Sequence, residues 1–251
     1  MTPNTRPHIL TIAGLDPTGG AGILSDVKTI ENIGGYGLSV CTANTLQTDH
    51  TFHACNWVAN DTLLNQLDML VKHFNISAVK IGIIKDADVL SQVTDHLAST
   101  TPDVPMIWDP VVKASAGFQF HYDSSGFEAL LPYFTLVTPN KEEINFIGAG
   151  QTEDETIKFI TSKTSLLITG GHNDDMLGTD ILHVKNSGAL KIEAAPGKYF
   201  MKHGSGCVLS TAIATYLGKG LQMIDACKMA KKYVERFLAS NPSMLGYHIP
   251  L

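Results

Sequence analysis

Residues 8–46 read HILTIAGLDPTGGAGILSDVKTIENIGGYGLSVCTANTL. The apolar run His8–Ala13 fits a buried strand, and a glycine-rich turn from Gly14 to Gly20 ends it. Ile23, Val27 and Ile30 recur at helical spacing between Gly19 and Gly34, and the pair Gly34–Gly35 stops that helix. Leu38–Leu46 returns to a strand pattern. Strand, turn, amphipathic helix and strand form a βαβ unit, and the rest of the chain repeats its grammar.

Helices are expected over Asp61–Phe74, with Asp61 as N-cap, and over Asp86–Ala98, with strands at Ala78–Ile84 and Met106–Val112. A short helix at Ser125–Leu131 precedes a strand at Leu136–Thr138, which Pro139 cuts off. Helical stretches at Glu142–Ile147 and Glu153–Ser162 lead to a strand at Ser165–Thr169. Ile181–Lys185 and Leu190–Ala194 pair as a hairpin about Asn186–Gly188, and helices over Gly206–Leu217 and Leu221–Leu238 close the chain. This alternation predicts an α/β fold with a mostly parallel central sheet covered by helices on both faces. With no linker, repeat or change of composition, a single domain spanning residues 1–251 is expected.

With 251 residues, 44% of them hydrophobic, the chain can bury a large core, and its net charge of −6 argues against nucleic-acid and anionic-membrane partners. The four cysteines, Cys41, Cys55, Cys207 and Cys227, form no C-x-x-C pair and suit neither a zinc site nor a disulfide framework. The N-terminal apolar run is short and β-like, and no segment reaches the ~20 apolar residues that span a bilayer, so a cytoplasmic protein is expected.

In open α/β sheets, ligands gather beyond the carboxyl ends of the strands. The strands here are followed by GLDPTGGAG, Gln47, Gly82, Asp109-Pro110, Pro139-Asn140, Gly170-Gly171 and HGSGC. The first turn is either a tight glycine turn or a place of close backbone approach to a ligand; it is neither a G-x-G-x-x-G fingerprint nor a P-loop. Gly204 and Gly206 leave backbone N–H groups uncovered at the start of a helix, which makes an anion site. Cys207 in that first turn is a buried structural thiol, a thiol whose pKa the helix field lowers, or a nucleophile served by His203. Asp109 ends an apolar strand, a costly position for an unpaired carboxylate, so a metal or phosphate role stands beside a turn role. Asn140 and Glu143 fit helix capping equally well, Asp26 fits a solvated charge, Gln47 a strand end and His172 a turn.

TIAGLDPTGGAGILSDVKT, YGLSVCTANTLQ, KIGII, WDPVV, VTPNKEE, ITGGH and HGSGCVLSTAIA, taken together and in order, resemble the hydroxymethylpyrimidine/phosphomethylpyrimidine kinases of thiamine biosynthesis. The resemblance covers nearly the whole chain. It implies a ribokinase-like fold and transfer of the γ-phosphoryl group of ATP, with Mg2+, to a pyrimidine hydroxymethyl and then to the monophosphate. It also implies a homodimer.

By resemblance, Gly14, Asp26 and Gln47 contact the aminopyrimidine, Val111 packs on its ring and Ile83 shapes the pocket where the family has methionine. Gly204, Ser205 and Gly206 form the anion hole and Cys207 is the base. Asp109, Asn140 and Glu143 organise magnesium and phosphates, the carboxylates through water, with Thr169, Gly171 and Lys113 beside the nucleotide. The loop after the Ile181–Ala194 hairpin is expected near the adenine. Lys113 stands two positions before the family's usual lysine, Thr169 replaces a lysine, and Ser205 replaces a threonine. The nearest alternative is a pyridoxal kinase, whose members often lack the long GLDPTGGAG turn; a non-catalytic binding protein is the alternative from another class.

Overall fold

The computed structural model describes residues 6–114, 117–120, 123–170 and 178–249. In chain order the elements are β1 (His8–Leu15), α1 (Gly22–Ile33), β2 (Tyr36–Gln47), β3 (Phe52–Trp57), α2 (Asn60–His73), β4 (Ile76–Ile81), α3 (Ala87–Thr100) and β5 (Met106–Trp108). They continue with α4 (Phe127–Leu130), a 3-10 turn at Leu131–Tyr133, β6 (Leu136–Val137), α5 (Lys141–Gly148), α6 (Glu153–Lys163) and β7 (Ser165–Ile168). The hairpin β8 (Asp180–His183) and β9 (Ala189–Ile192) and the helices α7 (Ser205–Gly218) and α8 (Met223–Ala239) complete the fold.

All the strands form one sheet in the order β3-β2-β1-β4-β5-β6-β7-β8-β9. Pairings from β2 through β7 are parallel, while β3, β8 and β9 are antiparallel additions at the edges. The α/β expectation holds, including helices on both faces. Strand periodicity explains the two layers: Leu10, Val79, Trp108, Val137 and Leu166 pack with α2, α3 and α6, while Ile9, Ala78, Ile107, Leu136 and Leu167 pack with α1, α7 and α8. Because both faces are covered, the inner strands are apolar throughout, which is why they read as continuous runs. The chain leaves β1 toward β2 on one side and β4 lies on the other, so the crevice of a topological switch opens beyond the ends of β1 and β4.

Several boundaries differ from expectation. Helix α1 begins at Gly22, because the turn before it, with Gly19 at positive φ, runs on to Ala21, whose backbone is extended. Ala59, rather than Asp61, occupies the N-cap of α2, and Asp61 lies in the first turn, where its charge suits the helix dipole. Strand β5 stops at Trp108, since Pro110 has no N–H to offer a ladder. Strand β3 was not expected; its sequence, FHACNW, mixes polar and apolar residues because it is a half-exposed edge.

The C-terminal segment folds back onto α1 and α8, placing His248 Nδ1 3.0 Å from the Tyr233 hydroxyl and 3.4 Å from Thr29 Oγ1. Burial, reinforced by the Lys28 charge, pushes the His248 imidazole from 6.5 down to about 4. The neutral ring therefore contributes stability that is fully present above pH 6.5 and is lost as pH falls toward about 4, where the unfolded chain takes up the proton more readily. Thermal midpoints followed across that range should fall with acid in the wild type and fall less steeply in His248→Gln. Parallel slopes would show that another group carries the acid sensitivity.

Candidate active site

Two glycine turns meet at the switch point. After β1, the Asp16 carboxylate gathers the turn by accepting hydrogen bonds at 2.9 Å from the N–H groups of Thr18 and Ala21 and from Thr18 Oγ1. His203 Nε2 stands 2.9 Å from the same carboxylate, so the segment entering α7 is tied to this turn. Burial works against the charged form of Asp16, but the bonds from His203, Thr18 and Ala21 outweigh it and hold its carboxyl below the usual range.

Gly204, the N-cap of α7, has φ 76°, and any Cβ there would fall on the Gly20 carbonyl oxygen. Only glycine lets the turns approach so closely. Helix α7 has no side-chain cap, so the first-turn N–H groups are left for whatever occupies the adjoining space. That space is a cavity of about 260 Å³ lined by residues from both turns.

Under the cavity lies a buried polar knot. Lys80 of β4 and Asp26 of α1 are both 0% exposed and pair at 2.9 Å. Asp26 also accepts hydrogen bonds from Thr11 Oγ1 of β1 (2.5 Å) and Thr211 Oγ1 of α7 (2.7 Å). Burial alone would depress the Lys80 ammonium, but the Asp26 carboxylate beside it offsets this first and foremost, and its pKa is held above the usual lysine value.

Asp109, also buried, accepts from Ser210 Oγ at 3.1 Å, and the Cys207 thiol lines the same cavity. Desolvation raises its carboxyl even though Lys80 opposes the shift. Glu143 is pushed up to about 8 by burial and then by the Asp109 charge. It nonetheless completes a capping box on α5: its Oε2 accepts the Asn140 N–H at 2.8 Å, and Asn140 Oδ1 accepts the Glu143 N–H at 3.0 Å.

The cavity brings together most of the residues singled out in the sequence. Gly14, Gln47, Ile83 and Val111 line it, as do Lys113, Asp109, Asn140, Glu143 and Thr169, and Gly204 through Cys207. Asp26 is a correction on both counts, being neither solvated nor a cavity residue: its carboxylate is used up by Lys80, Thr11 and Thr211. The expected lowering of the Cys207 pKa is also reversed, because desolvation pushes the thiol up to about 12 despite the helix N-terminus and Lys80. His203 is bound to Asp16 rather than poised as a base for that thiol. Residues 195–202, which follow the hairpin, are not among those that line the cavity. Gly171 and His172 lie outside the described residues.

Sequence reasoning missed two pairs besides Lys80. Asp180 binds Lys231 at 2.9 Å and accepts the Gly170 N–H at 2.9 Å, and Asp180 and Lys231 line the cavity. Asp16 and His203 lie 187 positions apart, a separation no local pattern bridges. Only Lys80 carried a signal, a lysine inside an otherwise apolar strand.

For a divalent cation the donor set is fitting but incomplete. Two carboxylates, Asp109 and Glu143, line the cavity, with Glu143 sensing the Asp109 charge, and no group of three or more potential ligands occurs among the described residues. That suits a magnesium ion that completes its shell with phosphate oxygens and water.

A family model described as phosphomethylpyrimidine kinase matches residues 16–251. The chain is 34% identical to the thiamine biosynthesis multifunctional protein ThiED of Corynebacterium efficiens, over 93% of this chain but only 33% of that protein, so it spans about a third of its length. It is 32% identical to a hydroxymethylpyrimidine/phosphomethylpyrimidine kinase of Staphylococcus aureus, covering 95% of this chain and 91% of the relative. Among solved structures, the pyridoxal kinase of Staphylococcus aureus in complex with AMP-PCP superposes with a TM-score of 0.83 at 22% identity, covering 96% of this chain and 91% of that one. At that identity the match speaks for the fold, which is ribokinase-like.

The knot predicts a large stability effect. Lys80→Met strands a buried carboxylate and should cost about 3–5 kcal/mol in urea unfolding. Adding Asp26→Asn should recover much of it by removing the stranded charge. A single variant within about 0.5 kcal/mol of wild type, the usual span of surface changes, would show that Asp26 has another counter-charge.

Proposed function

The chain belongs to the phosphomethylpyrimidine kinase family, and we propose on that footing that it transfers the γ-phosphoryl group of ATP to 4-amino-5-hydroxymethyl-2-methylpyrimidine and then to its monophosphate, in thiamine biosynthesis. One observation carries the reading: the uncapped N-terminus of α7, Cys207 and the Asp109–Glu143 carboxylates converge on one cavity. Phosphoryl transfer asks mainly for positioning and charge stabilisation, which N–H groups at a helix start can supply.

In the proposed reaction the pyrimidine hydroxyl oxygen bonds to the γ-phosphorus, the bond to the β,γ-bridging oxygen breaks, and ADP leaves. The N–H groups of Ser205, Gly206 and Cys207 face the charge on the migrating group. A thiol held up to about 12 is neutral at the start, so Cys207 cannot act as a ready-made thiolate. It can receive the substrate proton only once its own proton has left to the cavity water, a loss that the Lys80 charge favours. A loose transition state, which releases the hydroxyl proton late, tolerates such a weak base. Magnesium, when bound with ATP, would sit at Asp109 and Glu143 through water and neutralise phosphate charge.

Gly14, Gln47, Ile83 and Val111 form the substrate end of the cavity in this reading, and Asn140, Thr169 and Lys113 the phosphate side. Residues 1–251 act as one kinase domain. A homodimer is supported by the family resemblance. A cytoplasmic setting without membrane or nucleic-acid partners is supported by the net charge of −6 and by the absence of any helix long and apolar enough to span a bilayer among the described residues. Pyridoxal is the competing substrate, supported by the fold match to a pyridoxal kinase; the long glycine turn favours the pyrimidine.

ADP production with ATP and magnesium, compared across hydroxymethylpyrimidine, its monophosphate and pyridoxal, tests the assignment. Both pyrimidines should turn over, and Cys207→Ala should lower kcat by about 10²–10⁴-fold, the usual contribution of an acid–base group. Faster turnover of pyridoxal would replace the substrate, and a fully active alanine variant would remove the role given to Cys207.

A further inference from the structure

Four aromatic rings gather at one wall of the cavity. Phe52, on the edge strand β3, is the ladder partner of Gln47 at the end of β2. The segment after β5 folds back on itself through Ala114 N–H to the Phe118 carbonyl (2.8 Å), Gly117 N–H to the Ala114 carbonyl (2.8 Å) and Phe120 N–H to the Val112 carbonyl (2.8 Å). This hairpin lays the Phe118 ring on Phe52, stacked at 4.4 Å, and turns Phe120 edge-on to Phe52 at 5.4 Å. Trp57 meets Phe120 from the other side at 6.4 Å. Phe52 and Phe120 line the cavity, whereas Phe118 and Trp57 do not, so two rings face the cavity and two back them.

Two features bear on what this wall accepts. The two phenylalanine rings that face the cavity offer no conventional hydrogen-bond partner to a hydroxyl-rich substrate, whose polar groups would be desolvated without compensation. They do offer faces and edges that complement a flat π-system. The wall is joined to Gln47, the ladder partner of Phe52, and to Val112, whose carbonyl accepts the Phe120 N–H, so on the assignment of Gln47 and Val111 to the acceptor end it acts on the acceptor more than on the phosphates.

We propose that Phe52 and Phe120, buttressed by Phe118 and Trp57, form a specificity wall that selects flat heteroaromatic alcohols over saturated polyols as the phosphoryl acceptor. The proposal deepens the pyrimidine-kinase reading and rests on it for the position of the acceptor.

Phe52→Leu and Phe120→Leu test it, because leucine keeps apolar bulk but removes the ring. Calorimetric titration without nucleotide should give each variant about tenfold weaker affinity for hydroxymethylpyrimidine, a matching rise in KM, and ADP affinity within about twofold of wild type. Where a leucine variant does not fold, the methionine variant carries the same expectation. Leucine variants that bind the pyrimidine as tightly as wild type overturn the wall while leaving the pyrimidine reading intact. A parallel loss of ADP affinity, or wild-type affinity for ribose or sorbitol equal to that for the pyrimidine, overturns it as well. If the wild type prefers pyridoxal and the variants lose pyridoxal, the wall stands and the pyrimidine reading fails. A wild type that binds neither ring overturns both.

Discussion

The ion pair between Lys80 and Asp26 is the constraint on which the site depends. It lies where β1, β4, α1 and α7 converge, and each contributes one group: Thr11, Lys80, Asp26 and Thr211. A lysine and an aspartate removed from water are tolerable only when each answers the other and the remaining lone pairs are satisfied. The carboxylate has three such partners, so the helices have little freedom to slide over the strands without exposing or stranding a charge. Fixing α1 and α7 in this way brings the turn before α1 against the turn before α7, with glycines at Gly20 and Gly204 where the backbones touch.

Above that pair, charge is held in balance rather than spread out. Asp109, Cys207 and Glu143 share a poorly hydrated wall of the cavity, and desolvation drives all three toward their neutral forms. Lys80 is the buried cation that opposes this shift at Asp109 and Cys207. A site so poised suits a polyanionic ligand that brings its own cation, because ligand and metal can change the protonation of the wall without any large movement of the backbone. The α7 N-terminus adds fixed partial positive charge without a competing side chain.

Much of this was legible in the chain. Strands buried on both faces read as uninterrupted apolar runs, and the glycine turns marked their ends, so the layered sheet could be inferred from periodicity. Edge strand β3 could not, since one half-exposed face leaves a mixed pattern. The capping role of Asn140 and Glu143 followed from spacing alone, because the capping box is local. Asp26 misled for the opposite reason: its place on the helix says which way it points, but not that a lysine waits there.

The sequence by itself determined the alternation of strands and helices, the positions of the glycine turns and the family resemblance, all of which rest on contacts or motifs within a few residues. Only the tertiary structure decided which charges meet. Lys80 with Asp26, Asp16 with His203, Asp180 with Lys231, and Phe52 with Phe118 are joined by the crossing of the sheet rather than by proximity in the chain. The ionisation of Cys207 was decided there too. A helix start favours the thiolate, but the half-buried sulfur loses part of the water that would solvate that charge, and the desolvation pushes its pKa up.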